Sequence, residues 1–178
     1  MITRLALGLL LAVTLGAASP VVPSAPRVEA PKTAAFPHRD GPLQAMMVFI
    51  PKAQVAEFDK PYDQAPHITP LKTAKVDDVV AVKIIFIGPQ ANAAGDIDMT
   101  YDITILGPDG KPYGEPHKGL EAGRGPMGPV NAVFDNRVAV LMIRFEAQDA
   151  KGVYRAVGVL HDNVGGRHLP VEAEIELK

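Results

Sequence analysis

The sequence predicts an all-β protein, a single antiparallel sandwich of about seven strands, and three observations lead to this fold class. Residues 171–177 alternate strictly between apolar and charged side chains, the pattern of a strand with one buried face and one solvated face. Residues 79–87 are strongly apolar and β-branched, and residues 138–145 are apolar on both faces until Arg144, as in a strand covered on both sides, although a short buried helix would show a similar pattern. Turn residues separate these runs at the spacing typical of a sandwich.

Residues 138–177 contain three consecutive predicted strands, and the connection 162–167 supplies the Asn and Gly residues of a hairpin. Earlier strands are predicted at 45–50 and 98–105, with a further one near 130–134. The alternation within 98–105 points four side chains toward the core: Met99, Tyr101, Ile103 and Ile105. The polar stretch that follows the first strand leaves room for one helical turn.

The connection 148–154 places a turn aspartate, then Gly152, then Tyr154 at the entrance to a strand. This arrangement resembles the tyrosine corner of immunoglobulin-like and fibronectin-III-like domains, in which the tyrosine hydroxyl bonds to nearby backbone. Ala156 stands where immunoglobulin domains carry their second cysteine, and the chain has no tryptophan. Over residues 79–177, the resemblance implies an immunoglobulin-like sandwich without a disulfide, and it implies no particular activity.

Residues 1–18 have the features of a secretory signal peptide, with the single cation Arg4 before an apolar run and small residues at the end. That run is about 11 residues long, whereas a membrane-spanning helix needs about 20. Residues 19–44 are rich in proline and alanine and are predicted to be a disordered tether, which leaves 45–178 for the sandwich. We therefore expect a periplasmic or secreted protein with no membrane span after cleavage.

The composition argues against several functional classes. The chain has no cysteine, and its only serines, Ser19 and Ser24, precede the sandwich, so the domain lacks both common nucleophiles. With 18 Lys and Arg against 20 Asp and Glu, and no clustered basic face, a nucleic-acid partner is not expected. The sequence predicts a non-catalytic binding module without a cofactor, whose partner is a protein or another component of the cell envelope, and leaves the oligomeric state open.

Residues 106–129 are rich in glycine and proline and are predicted to form a long irregular loop, the kind of segment that often carries function. A partner-binding site is predicted on this loop at Gly119, Leu120, Glu121, Arg124 and Met127. Binding through the loop and binding by strand addition at a sheet edge are both open. The loop also suggests an alternative, a protease inhibitor that presents residues 107–129.

Histidine and methionine residues leave a second function class open, the handling of copper. His161 and His168 flank the predicted hairpin turn and would approach each other across it, and Met127 is a further candidate ligand. The remaining histidines show no ligand-like spacing along a helix or a strand.

Overall fold

The computed structural model describes residues 36–60, 66–129 and 132–178, which contain ten strands and one 3₁₀ helix, Lys52–Asp59. The strands are β1 His38–Asp40, β2 Leu43–Pro51, β3 Thr73–Ala74, β4 Val79–Ile87, β5 Asp96–Leu106, β6 His117–Pro126, β7 Phe134–Asp135, β8 Leu141–Arg144, β9 Gly152–Asp162 and β10 Arg167–Leu177. The predicted signal peptide and residues 19–35 of the predicted tether lie outside the described residues. Among the described residues, no helix has the length and apolar character needed to cross a membrane.

The strands form two five-stranded sheets that enclose a shared core. In sheet A, β1, β2, β4 and β7 lie side by side, and β8 also pairs with β4. In sheet B the order is β3, β10, β9, β5, β6, and only the β3–β10 pair is parallel. The orders β2-β4-β8 and β10-β9-β5-β6 match strands A-B-E and G-F-C-C′ of the immunoglobulin fold. The predicted fold class is confirmed.

The tyrosine corner is present at the start of β9. Tyr154 is buried, and its hydroxyl donates a hydrogen bond to the carbonyl of Ala150 at 3.0 Å. Its ring packs edge-on against Phe145, with ring centroids 5.0 Å apart. The bond fixes the chain where it crosses from sheet A to sheet B, as the resemblance implied.

The alternating strands place their side chains as predicted. Within β5 the four core-facing residues are all buried: Met99, Tyr101, Ile103 and Ile105. Val171, Ile175 and Leu177 of β10 are also buried, while the glutamates between them are exposed. β9 and β10 pair antiparallel along their whole length, so the hairpin prediction holds as well.

The N-terminal boundary of the sandwich lies earlier than predicted, because β1 and the beginning of β2 fall within the segment assigned to the tether. Phe36 and Leu43 are buried, so this part of the chain contributes to the core despite its prolines. Gly41, with a φ of +59°, makes the tight turn between the two strands. The tether assignment is therefore wrong for residues 36–44.

The strand predicted at 138–145 is shorter than expected, and the one predicted near 130–134 is present as the two-residue β7. Between β7 and β8 the side chain of buried Asn136 takes the place of a strand. Its Oδ1 accepts from the N–H of Ile84 at 3.0 Å, and its Nδ2 donates to the carbonyl of Val82 at 3.2 Å. Because the side chain already binds these two groups of β4, residues 138–140 need not continue the ladder.

The 3₁₀ helix occupies the place where a helical turn was expected, and it covers the outer face of sheet A. Phe58 from this helix joins a second apolar cluster, separate from the sandwich core, with these buried residues of sheet A and its N-terminal approach: Phe36, Val48, Ile50, Ala81 and Ile85. Sheet A is thus buried on both faces.

Candidate functional site

The residues predicted to form a partner-binding loop lie on or beside an edge strand. Gly119, Leu120, Glu121 and Arg124 are part of β6, and Met127 follows its end. β6 pairs with β5 on one side and has no strand partner on the other in the described part of the chain. The prediction of a long irregular loop is therefore wrong for residues 117–126, and the protease-inhibitor alternative, which rested on the length of that loop, loses its support.

The glycines of this segment belong to a bulged strand. The register between β6 and β5 shifts twice, next to Met99 and next to Tyr101. Gly119 has a φ of +63°, and its N–H donates to the carboxylate of Asp102 at 2.8 Å. Glycine-rich composition alone does not distinguish such a strand from a loop, because both need positive φ at isolated positions.

One side of the sandwich is bordered by β6 of sheet B and by β7 and β8 of sheet A, and we call it the open side. Among the strands that the structure describes, β8 pairs only with β4. The Phe145 N–H donates to the carbonyl of Asp78 at 3.2 Å, so the alternation of an antiparallel ladder turns the N–H groups of Met142 and Arg144 away from β4. The free edge of β8 therefore presents backbone donors toward the open side.

Two cavities lie along the open side. The larger, about 230 Å³, separates the beginning of β6 from β8 and is lined among others by Tyr113, His117 and Met142. The smaller, about 90 Å³, lies between β6 and β7 beside Arg124 and Phe134. Both volumes are below the roughly 300–1,000 Å³ of sites for small-molecule ligands. They are suited to single side chains of a polypeptide.

Exposed apolar residues are concentrated in the segments of the chain that border this side. Five large apolar residues of the described chain are exposed, and four of them lie on β8 or between β6 and β8: Met127, Val133, Val138 and Met142. Val138 is the most exposed, at 64%. Clustered apolar exposure, unlike single exposed residues, is a feature of interaction surfaces.

Tyr113 fixes the wall of the larger cavity. Its hydroxyl donates to the Asp149 carboxylate at 2.7 Å and lies 3.4 Å from the carbonyl of Arg144. Burial, together with the hydrogen bond to Asp149, raises the pKa of Tyr113 well above its usual value. The side chain is therefore a neutral, fixed donor at neutral pH.

The other edge of sheet B, at β10, has a different character. β3 pairs with its end, where the Glu176 N–H donates to the carbonyl of Lys72 at 3.0 Å, and β1 lies against its beginning. A cavity of about 320 Å³ between His38, Val157 and Pro170 opens onto its outer face. The exposed residues of β10 include three glutamates, and charges on an edge strand discourage pairing. We therefore place the candidate binding site on the open side.

The histidines suggested as copper ligands do meet. His161 and His168 are directly opposite each other on β9 and β10, and their Nδ1 atoms are 2.8 Å apart. The carboxylate of Asp102 lies 3.3 Å from Nε2 of His161. Across the described residues, no set of three or more His, Cys, Asp or Glu side chains is arranged to hold a metal ion.

Met127 does not join these histidines. His161 is opposite Thr100 on β5, while Met127 follows Pro126, which is opposite Asp96. Four residues along a strand amount to about 13 Å. The three-residue site suggested by the sequence is thus not formed, and only the histidine pair remains.

Sequence reasoning missed a buried ion pair on the outer face of sheet A. Lys83 and Asp135 are both buried and form a salt bridge, Arg137 binds the same carboxylate at 2.8 Å, and the Lys83 Nζ lies 4.1 Å from the ring centre of Phe58. Burial lowers the pKa of Lys83, and the hydrogen bond that Lys83 donates to Asp135 opposes that shift. The signal was a single lysine inside the otherwise apolar β4.

Neither a protein-family model nor a curated protein matches the sequence. Solved structures resemble it only distantly. A family 123 glycoside hydrolase from Clostridium perfringens is 11% identical, with a TM-score of 0.43 over 76% of this chain and 27% of that one. The alkylpurine DNA glycosylase AlkC of Pseudomonas fluorescens is 13% identical, with a TM-score of 0.39 over 60% of this chain and 28% of that one. The chain thus spans little more than a quarter of either enzyme.

A CARDB domain from Pyrococcus furiosus, crystallised with metal ions, is 10% identical, with a TM-score of 0.35 over 77% of this chain and 90% of that domain. At these scores the matches carry no inference about chemistry. The immunoglobulin-like assignment rests instead on the strand order and the tyrosine corner.

Proposed function

We propose that the protein is an exported, non-catalytic module that binds an extended segment of a protein partner along the open side. The observation that carries the proposal is the concentration of exposed apolar side chains there, four of the five in the described chain. These residues lie beside the edges of β6 and β8, which have no strand partner among the described residues. Surfaces of this composition are typical of recognition sites in soluble domains.

Binding would combine two kinds of contact. A partner segment aligned with β8 would accept hydrogen bonds from the outward N–H groups of Met142 and Arg144. One of its apolar side chains would enter the cavity beside Tyr113, whose volume of about 230 Å³ matches a side chain better than a small molecule. Main-chain bonds then supply affinity and the cavity supplies selectivity, as in other cases of strand addition.

Export and the lack of catalysis rest on the sequence. The signal-like features of residues 1–18 favour the periplasm or the extracellular space, so the partner would be a secreted or envelope protein. The absence of cysteine and the position of both serines before the sandwich favour a binding role over a hydrolytic one. Cell fractionation of a tagged chain tests export directly, since retention of the unprocessed chain in the cytoplasm would contradict it.

The experiment that tests the binding site is site-specific photo-crosslinking in cells. A photoreactive phenylalanine analogue is placed at Met142 on the open side, and the same analogue at Val153 on the outer face of sheet B is the control, because both side chains are exposed to a similar degree. We expect a discrete crosslinked protein from position 142 alone. Identical products from both positions, or none from position 142, would contradict the proposal.

A matched pair of variants then separates main-chain pairing from side-chain contact. Arg144→Pro removes an outward N–H that β4 does not use, whereas Arg144→Ala removes the side chain and keeps the N–H. We expect the first variant to bind the crosslinked partner roughly tenfold more weakly and the second to bind almost normally, since one hydrogen bond contributes about 1 kcal/mol. Equal losses in both variants would exclude strand addition at β8.

A further inference from the structure

We propose that His161 and His168 form a binding site for one divalent late transition-metal ion, with Cu²⁺ bound most tightly, on the outer face of sheet B. The site is distinct from the open side. It needs no third protein ligand, because water completes the coordination of an exposed ion. Neutral imidazoles are good ligands for these ions, and affinity along the series peaks at copper.

The strand register explains why the two rings meet. The Glu176 N–H donates to the carbonyl of Lys72 and therefore points away from β9. N–H groups of every second residue along β10 point to the same side, so the His168 N–H also points away from β9. His168 and His161 are therefore a non-hydrogen-bonded pair of the antiparallel ladder. In such pairs the Cα atoms are about 4.5 Å apart and the side chains approach most closely. The pair is held by the backbone and not by chance rotamers of a loop.

A carboxylate sets the tautomer of His161. Asp102 lies 3.3 Å from its Nε2 and is itself held by the Gly119 N–H at 2.8 Å. The proton of neutral His161 therefore lies on Nε2, and the lone pair of its Nδ1 points at His168. A carboxylate behind a ligating imidazole is the usual support for a metal-binding histidine.

An ion can replace the proton that the two rings share. The two Nδ1 atoms are 2.8 Å apart, and with His161 in the tautomer that Asp102 favours, Nδ1 of His168 is the donor of this contact. When the ion binds, His168 loses the proton on its Nδ1 and takes up a proton from solvent on its Nε2. His168 therefore changes tautomer, and the two imidazoles stay neutral with no net loss of a proton. Cu²⁺ favours square-planar or tetragonal coordination, in which two adjacent nitrogens at about 2.0–2.1 Å from the ion are about 2.9 Å apart. Small rotations of two surface rings supply the difference.

The test is a titration of the purified protein with Cu²⁺ against a weak competing chelator at pH 7.5, followed by electron paramagnetic resonance. We expect one saturable Cu²⁺ per chain with hyperfine coupling from two imidazole nitrogens. His161→Ala and His168→Ala should each lower the affinity at least about tenfold. His67→Ala, which removes an exposed histidine outside the pair, should leave it unchanged.

Asp102→Asn tests the supporting role of the carboxylate, because the amide oxygen can still accept from Gly119 while the negative charge is lost. We expect the copper affinity to fall roughly tenfold with both ligands in place. An unfolding midpoint close to that of the parent protein in each variant shows that the hairpin is intact. Absence of saturable binding, or an affinity unchanged in both His161→Ala and His168→Ala, would overturn the proposal.

Discussion

The outer faces of the two sheets differ in what covers them. On sheet A the 3₁₀ helix and the N-terminal approach bury a second apolar cluster, and seven consecutive residues of β4 are buried. On sheet B the corresponding face is solvated, and the exposed residues of β10 include a row of glutamates. The same sandwich therefore contains one sheet with two dry faces and one sheet with a single dry face.

This difference decides how an ionisable group behaves on each face. Lys83, on the covered face, is fully buried and depends on Asp135 for its charge. Arg155, on the solvated face, pairs with Glu172 at 3.0 Å, and both side chains are about half exposed. An exposed ion pair contributes about 0–1 kcal/mol to the free energy of unfolding, whereas loss of one partner of a buried pair lowers that free energy by several times more. Substitutions on the two faces should therefore differ in cost even where the chemistry is the same.

The largest effect is expected from Asp135→Ala. The change leaves Lys83 as an uncompensated buried charge, which should lower the free energy of unfolding by about 3–5 kcal/mol in a urea titration. Glu172→Ala, which breaks the exposed pair with Arg155, should lower it by less than about 1 kcal/mol. The double substitution Lys83→Met with Asp135→Leu should recover most of the loss. A double variant as unstable as Asp135→Ala would assign the loss to packing instead of charge.

The pH dependence of the Asp135→Ala variant gives an independent check on the role of Lys83. Burial lowers the pKa of Lys83 below its unfolded value, so between the two pKa values the unfolded chain binds more protons and stability rises with pH. Without the carboxylate the pKa of Lys83 falls further, and this window extends toward neutral pH. The free energy of unfolding of the variant should therefore increase more steeply from pH 7 to 9 than that of the parent protein. If the free energy of unfolding had the same pH dependence in the variant and in the parent protein, this account would be contradicted.

Phe58→Ala should have the next largest effect, about 3 kcal/mol of unfolding free energy. Phe58 is 4% exposed, contacts Lys83 and closes the second cluster, so its removal opens a cavity and admits water to the ion pair. Val153→Ala on the outer face of sheet B is the matched control, because that side chain is 45% exposed and should cost no more than about 0.5 kcal/mol. Similar losses in the two variants would mean that the 3₁₀ helix does not seal sheet A.

The sequence predicts β5, β9 and β10, the strands of sheet B with one dry face, better than it predicts what covers sheet A, and the reason is the same. Strands with one dry face alternate, so the core side chains of β5 and β10 and the hairpin between β9 and β10 follow from periodicity alone. A strand with two dry faces, such as β4, shows no alternation, so its partners and its cover stay undetermined. The cover comes from Phe36 and Phe58, which lie in proline-containing and polar stretches where a local pattern gives no sign of burial.

The candidate sites also differ in how far the sequence predicts them. The meeting of His161 and His168 could be predicted, because it depends on one hairpin and a local register. The open side could not, because it depends on which strands lie at the edges of two sheets. The glycines of β6 suggested a loop, and only tertiary pairing with β5 shows that Gly119 marks a bulge. The salt bridge of Lys83 joins β4 to β7, two strands that are distant in sequence, and no local spacing indicates it.

The smallest of the predicted effects concerns Tyr154, whose hydroxyl makes a hydrogen bond where the chain crosses from sheet A to sheet B. Tyr154→Phe removes the hydrogen bond to Ala150 and keeps the ring that packs on Phe145, so the free energy of unfolding should fall by about 1 kcal/mol. Tyr113→Phe is the comparison, since its hydroxyl binds Asp149 at the edge of the same cluster, where water can replace the lost partner. A larger loss for Tyr113 than for Tyr154 would indicate that the edge contact, and not the tyrosine corner, holds the two sheets together.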